Sequence, residues 1–510
     1  MTLRPLDLLV LVAYVGGIVA FGASYARRSR DPREFMAAGG RLGGVAIGLS
    51  LFATFLSSNT FLGVPGRAFA SNWNAFVFSL SLPLAAWIAA RWFVPFYREH
   101  GHISAYHHLE ARFGRWARTY GLACYLLTQL ARMGSILFGV ALVTTALTGW
   151  SMAATILGVG ALVTLYTLLG GIEAVIWTDV VQSFVLVGGA LAVVWTLLEG
   201  TPGGAGRVVA DAGAAGKLSL GSFAPDFATS TFWVVLLYGL FINLNNFGID
   251  QSYVQRYHTA RGVAEARRSV WLAAALYLPV SLLFFFIGSA LWTFYATQPA
   301  LAADLVSSVG VGGEGAAVNG LAHAAIADRA LPHFIATQLP PGVTGLLVAA
   351  MLAAAMSSLD TSLNSSATVL LTDVYVAYFR PGAGEQESMR FLQGATLGMG
   401  AIGIATAIAM LGVQSLLDAW WMLSGIFAGG LLGLFLLGMI VRRAERPAAA
   451  IGVVAGVAVI LWMTLGPRLP AALRSPFHAN MIIVIGTLTI FLVGWAVSRL
   501  RTARPAAETT

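Results

Sequence analysis

Charge is scarce in this 510-residue chain: Asp, Glu, Lys and Arg make up 10% of it, against about 25% in an ordinary soluble domain, while hydrophobic residues make up 58%. Mean hydropathy is +0.78. Water cannot solvate that much apolar surface, so a disordered chain, a coiled coil and a typical soluble enzyme are excluded. Cysteine is nearly absent. The single Cys124 rules out a disulfide framework and any cysteine-based metal cluster, and in its apolar run it reads as a small buried side chain. A phosphate loop, a metal-ligand cluster and a catalytic triad are all missing. So is a leader-cleavage site: the first apolar run is long and is followed by Arg27 and Arg28, so a spanning helix is expected there.

What remains is apolar runs long enough to cross a bilayer, which takes about 20 residues. Thirteen can be read, over about 6–25, 43–70, 74–96, 118–147, 150–169, 175–198, 230–249, 268–293, 341–372, 389–411, 414–441, 448–466 and 479–499. Backbone polar groups cannot stay unpaired in lipid, and barrel strands would be shorter and alternating, so the expected fold class is all-α and polytopic.

The net charge is +8 and the pI about 9.8. On a soluble protein this would hint at nucleic acid. Here the basic residues sit in short clusters between apolar runs and read as orientation signals. Arg27, Arg28, Arg30, Arg33 and Arg41 form one cluster, and Arg98, Arg112, Arg115 and Arg118 a second. Arg256, Arg261, Arg267 and Arg268 form a third, followed by Arg380 and Arg390, by Arg442, Arg443 and Arg446, and by Arg499, Arg501 and Arg504. The alternate loops are poorer, with Arg207, Lys217, Arg329, Arg468 and Arg474. The rich set is expected in the cytoplasm of a cell (plasma or inner) membrane protein, with the N-terminus outside and the C-terminus inside. The long loops 199–229 and 294–340 are then external and are expected to carry short surface helices. No soluble domain is expected after the last helix. His100, His102, His107 and His108 are expected in a solvated loop rather than at a metal.

Polar groups at mid-membrane depth are costly and mark functional candidates. The first cluster is Ala53-Thr54-Phe55-Leu56-Ser57-Ser58-Asn59-Thr60, followed by Gly63, Pro65 and Gly66. An interrupted helix there would free carbonyl oxygens that suit a hard cation. The competing reading is a kinked helix whose hydroxyls bond their own backbone.

The second cluster lies at residues 354–365. At 3.6 residues per turn, Ala354, Ser357, Ser358, Thr361 and Ser365 share one stripe, and Asp360 lies beside it. Hydroxyl stripes also serve as packing glue between helices. The third is Asp179, in a helix that follows Gly170-Gly171, where a helix-dipole role competes. The fourth is Arg132, which needs an anion from the protein or from a substrate. Asn243, Asn245, Asn246 and Asp250 form a further patch, where an inverted counterpart of the first broken helix would fall.

These stretches resemble the sodium:solute symporter family. The likeness rests on residues 170–182, on residues 354–365 with Thr372-Asp373-Val374-Tyr375 after them, and on Ser104-Ala105-Tyr106 followed by Leu109-Glu110-Ala111-Arg112-Phe113-Gly114. Within the family, the nearest likeness is to bacterial sialic acid symporters, through Ser57 to Phe61, Val254-Gln255-Arg256-Tyr257 and Phe286 to Leu291. The resemblance implies a leucine-transporter-type core of two five-helix inverted repeats, over 43–198 and 230–441. A leading helix and loop (1–42) would precede them and two helices (448–500) would follow.

The resemblance also implies a sodium site of the Ala53, Leu56 and Ala354 carbonyls with the Ser357 and Ser358 hydroxyls. A second sodium site would use Asp179, Ser357 and Thr361, with Asp360 where many members carry Ser or Thr. Ser57, Thr60, Ser79, Arg132 and Asn243 would face the substrate, Arg132 holding its carboxylate. Phe55 and Ser79 depart from the sialic acid pattern. The implied activity is sodium-coupled import, by alternating access, of a carboxylate-bearing sugar or other organic anion. A neutral sugar, a monocarboxylate or vitamin, and an amino acid stay open as cargoes. A membrane enzyme, a channel and a substrate-sensing receptor are the other classes. Sodium is the coupling ion implied, and two carboxylates close together, Asp179 and Asp360, could bind it more strongly or share one proton. Besides the solute and the bilayer, neither nucleic acid nor an obligate protein partner is indicated.

Overall fold

The structure, a computed structural model, describes residues 4–29, 31–57, 59–307, 324–411 and 416–502. Expectations that fall on Arg30, Ser58, Arg504 and the middle of the loop 294–340 lie outside the described residues. Helices account for nearly all of the rest. The labels are α1 (Pro5–Ser24), α2 (Gly44–Phe55), α3 (Val64–Ala70), α4 (Trp73–His100), α5 (His107–Phe113), α6 (Arg115–Thr148), α7 (Met152–Gly200) and α8 (Gly204–Ala214). Next come α9 (Phe232–Ile249), α10 (Gln251–Thr259), α11 (Val263–Thr297), α12 (Pro299–Ser307) and α13 (Ala324–Gln338). The last are α14 (Val343–Phe379), α15 (Glu385–Ala409), α16 (Trp421–Ile440), α17 (Arg446–Leu465) and α18 (Met481–Thr502).

Among the described residues, 11 helices are long and apolar enough to cross a membrane, or 12 when α2 and the bent segment Thr60–Ala70 count as one span. Thirteen apolar runs are nonetheless present. The 49 residues of α7 would reach about 70 Å as one rod, more than twice the hydrocarbon thickness. They hold two of the expected runs, joined at Gly171, whose φ of +59° breaks the helix where a side chain would also meet Phe35.

The hallmark stretches meet on one face. Asp373 near the end of α14 accepts from Arg118 and from Ser104 Oγ (2.6 Å), and Arg118 also reaches Glu110 (2.5 Å). Glu173 pairs with Arg41 (2.6 Å) and Arg28 (3.4 Å). On the opposite face Asp7 is buried and accepts from the Gly342 and Gly345 amides, capping the start of α14. Between these anchors α14 runs beside α7, α1 and α6 and is buried along nearly its whole helical length.

The long loops carry the expected short helices α8, α12 and α13. Three local expectations are corrected. Arg256, expected in a solvated basic loop, lies in α10 and is fully buried. Cys124 is only half-buried. His108, expected in solvent, packs edge-on against Phe96 and Phe435 (ring centroids 4.8 and 5.9 Å).

Candidate sodium and substrate site

The second apolar run is a broken helix. Gly63, Pro65 and Gly66 disfavour regular helix, and α2 stops at Phe55. Leu56 is extended (φ −96°, ψ 111°), and the chain resumes with a wide turn over Asn59–Gly63 before α3. The run from Phe232 breaks in the same way. Asp250 is extended between α9 and α10, and its carboxylate caps α10 through the Ser252 amide (2.8 Å). The break within the second run and the break at Asp250, after α9, put backbone oxygens and helix ends into the buried interior, where a cavity or a ligand can use them.

At the first break the hydroxyl stripe of α14 faces the last carbonyls of α2 and that of Leu56; Ala53 O also accepts from the Leu56 amide (2.9 Å). Ser357 Oγ donates to Ala53 O (3.1 Å) and Ser358 Oγ to Leu56 O (3.5 Å). Ala354 lies one turn earlier on the same helix and is buried. These donors are all oxygens, which fits a small hard cation. The self-bonded alternative holds for other hydroxyls of the two clusters: Thr54 Oγ1 donates to Ser50 O, Thr60 Oγ1 to Phe55 O, Ser362 Oγ to Ser358 O and Ser365 Oγ to Thr361 O.

Asp179, Thr361 and Asp360 are brought close, but not as an open oxygen cage. Arg256 donates to Asp179 Oδ2 (3.0 Å), to Thr361 Oγ1 (2.6 Å) and to Ser50 Oγ (2.8 Å). Ser50 Oγ in turn donates to Asp179 Oδ2 (2.5 Å). Asp360 accepts from Tyr166 Oη (2.7 Å) and from the Thr361 amide (2.6 Å). The guanidinium is thus paired with Asp179, while Asp360 makes no ion pair among the described residues, and Asp179 Oδ1 and the Gln182 side-chain amide have no hydrogen-bond partner among them. In the sequence Arg256 stood in a basic cluster and in the Val254–Tyr257 likeness, and neither pointed to a partnership with Asp179.

A cavity of about 100 Å³ lies beside the first break. Ser57, Thr60, Ser79 and Arg132 line it, with Asn245, Asn246 and Asp250 from the second break. Asn243 does not: it is fully buried and donates to Ser81 Oγ (3.1 Å) in α4. One step along the helix turned it away. Arg132 donates to Thr54 O (2.6 Å), a carbonyl at the end of α2, and makes no ion pair among the described residues. Ser79 and Ser281 hydroxyls bond across the cavity wall (2.7 Å).

Phe55 packs against Phe247, Tyr253 and Tyr277 with centroids 5.6, 5.1 and 5.2 Å away. Trp421 and Ser424 of α16 complete the lining. Tyr253, Tyr277, Ser281 and Trp421 gave no sequence signal, because aromatic residues and isolated serines are common in spanning helices.

A broken spanning helix and a second break at Asp250 around a polar cavity fit a secondary active transporter. The profile of the sodium:solute symporter family matches residues 35–456. The chain belongs to that family and is a sodium-coupled symporter with a leucine-transporter-type fold. It is 32% identical over 499 residues to the sodium/sialic acid symporter NanT of Aliivibrio fischeri (96% of this chain, 92% of that protein). It is 29% identical over 487 residues to the sodium/sialic acid symporter SiaT of Proteus mirabilis (94% of each). A Na+-coupled sialic acid symporter solved in a substrate-bound outward-open state superposes with a TM-score of 0.85 at 28% identity, covering 98% of both chains.

Proposed function

We propose that this symporter imports a small carboxylate-bearing solute, a sialic acid or similar sugar acid, together with sodium. The observation that carries the cargo class is Arg132. It is a guanidinium on the cavity wall with one N–H on Thr54 O and no carboxylate paired to it among the described residues. Asp250 lines the same cavity but makes no ion pair with Arg132, so a substrate carboxylate would supply the direct partner of the guanidinium. Ser57, Thr60, Ser79, Asn245 and Asn246 offer hydroxyl and amide partners for a polyol. The similarity to NanT and SiaT points the same way.

Sodium is assigned to the Ala53, Leu56 and Ala354 carbonyls and the Ser357 and Ser358 hydroxyls. On binding, the ion would replace the two hydroxyl–carbonyl hydrogen bonds, tie α2 to α14 and order the cavity beside them. The arginine-rich face is read as cytoplasmic and the face carrying α8 as external, so that the repeats 43–198 and 230–441 rock about the two breaks. One charge crossing 100 mV contributes about 2.3 kcal/mol to accumulation.

The test is uptake of N-acetylneuraminate into proteoliposomes with an inward gradient of sodium or of choline. Equal uptake in choline removes the sodium site. Absence of sialic acid uptake, with sodium-dependent uptake of a monocarboxylate, moves the cargo to that class.

A second cation is favoured by one observation: Arg256 pairs with Asp179, buried Asp360 makes no ion pair among the described residues, and Asp179 Oδ1 is unpartnered among them. Sodium or a proton would balance the remaining charge. Uptake driven by a pH gradient in sodium-free buffer, lost in Asp360→Asn, selects the proton. Uptake absent under that gradient and steeper than first order in sodium selects the second sodium.

A further inference from the structure

The chain contains one lysine. Every other fixed cation is arginine, and this lysine, Lys217, sets a compact ammonium on a flexible stem against two backbone carbonyls and an indole ring. It follows α8 in the loop 201–231 and is 8% exposed. Its Nζ donates to Phe69 O (2.6 Å) and Ser71 O (3.3 Å), carbonyls at the C-terminal end of α3. The last turn of a helix has no intrahelical donors for its carbonyls, and a cation there also meets the negative end of the helix dipole. The ammonium stands 4.9 Å from the ring centroid of Trp292 on α11, a cation–π distance.

A second clasp lies beside it. Asn74 Nδ2 donates to Leu220 O (2.9 Å), and Ser230 Oγ donates to Asn74 Oδ1 (2.9 Å). The loop is thus fastened to both sides of the short connection after α3, while Val208 and Ala212 of α8 are fully buried. The helix it grips is the half of the broken span that follows the proposed sodium site.

We propose that Lys217 is a latch: it fastens the loop 201–231 to the end of α3, and α3 can tilt relative to α2 only when that fastening opens. Lys217 is a positioning residue in this scheme and touches neither ion nor cargo. The assignment of the tilt to the outer gate rests on the transport reading above, whereas the fastening itself does not.

Hydrogen–deuterium exchange on the full-length protein in lipid nanodiscs tests this, in sodium chloride and in choline chloride. In Lys217→Met, amides of residues 66–76 and 217–222 are expected to exchange at least about tenfold faster than in the unaltered protein, while α17 and α18 stay unchanged. Lys217→Arg, which keeps a cation for the carbonyls and for Trp292, is expected to remain within about threefold of the unaltered protein. Sodium is expected to change exchange at the α2–α3 break and in the loop together. In Lys217→Met the response at the break persists and the response in the loop is lost. Exchange in Lys217→Met equal to that of the unaltered protein overturns the latch, as does a loop that still follows sodium in that variant. If sodium changes nothing in any of the three proteins but the Lys217→Met loop is still the faster, the latch stands and the sodium assignment fails instead.

Discussion

The Ser357 hydroxyl donates to the Ala53 carbonyl across 3.1 Å, joining residues 304 positions apart at the point where one helix has come undone. One partner is a hydroxyl on an intact helix, the other a carbonyl turned towards the break. A cation placed between them would be held by both helices at once.

Removing the hydroxyls should therefore weaken sodium and leave the fold intact. Ser357→Ala and Ser358→Ala are each expected to raise the sodium concentration for half-maximal uptake about tenfold, the equivalent of one lost oxygen ligand at about 1–1.5 kcal/mol. Sodium titration of uptake in proteoliposomes, with the amount of protein in the membrane held equal, measures this. An unchanged half-saturation point excludes the serine from the site.

Arg132 has a different signature. Arg132→Ala is expected to abolish uptake of a carboxylate cargo, a loss of at least about 100-fold, because a charge-assisted pair in a buried cavity is worth roughly 3 kcal/mol or more when one partner is removed. Sodium binding, read by a thermal shift in sodium against choline, should survive, since among the described residues the arginine's hydrogen bond to α2 is to Thr54 O and to none of the proposed sodium ligands. Retained carboxylate uptake would place the anion elsewhere.

Arg256 and Asp179 form a buried pair in which each partner depends on the other. Arg256→Met leaves Asp179 charged and unpaired and is expected to cost about 3–5 kcal/mol in stability. Adding Asp179→Asn should recover more than half of that loss, because the uncompensated charge is then gone. Thermal unfolding of the single and double variants in detergent provides the comparison. Additive losses would mean that the pair is not coupled.

Acid should loosen the junction between α5 and α16. Burial, and then the nearby Arg112, His100 and His107, push the His108 imidazole from its ordinary 6.5 down to about 4. The unfolded chain therefore binds more protons than the folded one between those values, and stability falls as pH drops through that window. At pH 5 the penalty from this residue is about 2 kcal/mol relative to pH 7.5. His108→Phe fills the space between Phe96 and Phe435 without a titrating group. Its unfolding temperature should fall less than that of the unaltered protein between those two pH values, and an equal fall in both would assign the acid sensitivity to other groups.

Much of the fold was legible because lipid leaves the backbone few choices. Runs of about 20 apolar residues must become helices, and twelve of the thirteen ranges read from the sequence match helices or their halves without further argument. The run 43–70 became a broken span for the reasons its residues announced: hydroxyls and an amide followed by Gly63, Pro65 and Gly66. The stripe of α14 was equally readable, since spacing alone sets which side chains share a helix face.

Pairing across helices was not readable. Spacing placed Arg256 in a basic cluster and Asp179 in a candidate ion site; only the packing of α7, α10 and α14 brought the guanidinium onto the carboxylate. In the same way, Asn243 and Asn245 looked alike in the sequence, and the rotation of α9 turned the first to Ser81 and the second to the cavity. The amino-acid order by itself determined an all-helical membrane protein, the place of its first break and the face that carries its hydroxyls, because these follow from local hydrogen bonding and helical periodicity. The tertiary structure alone decided which charges neutralise one another and which polar groups reach the cavity. Those outcomes depend on distances between segments hundreds of residues apart, and no local rule contains them.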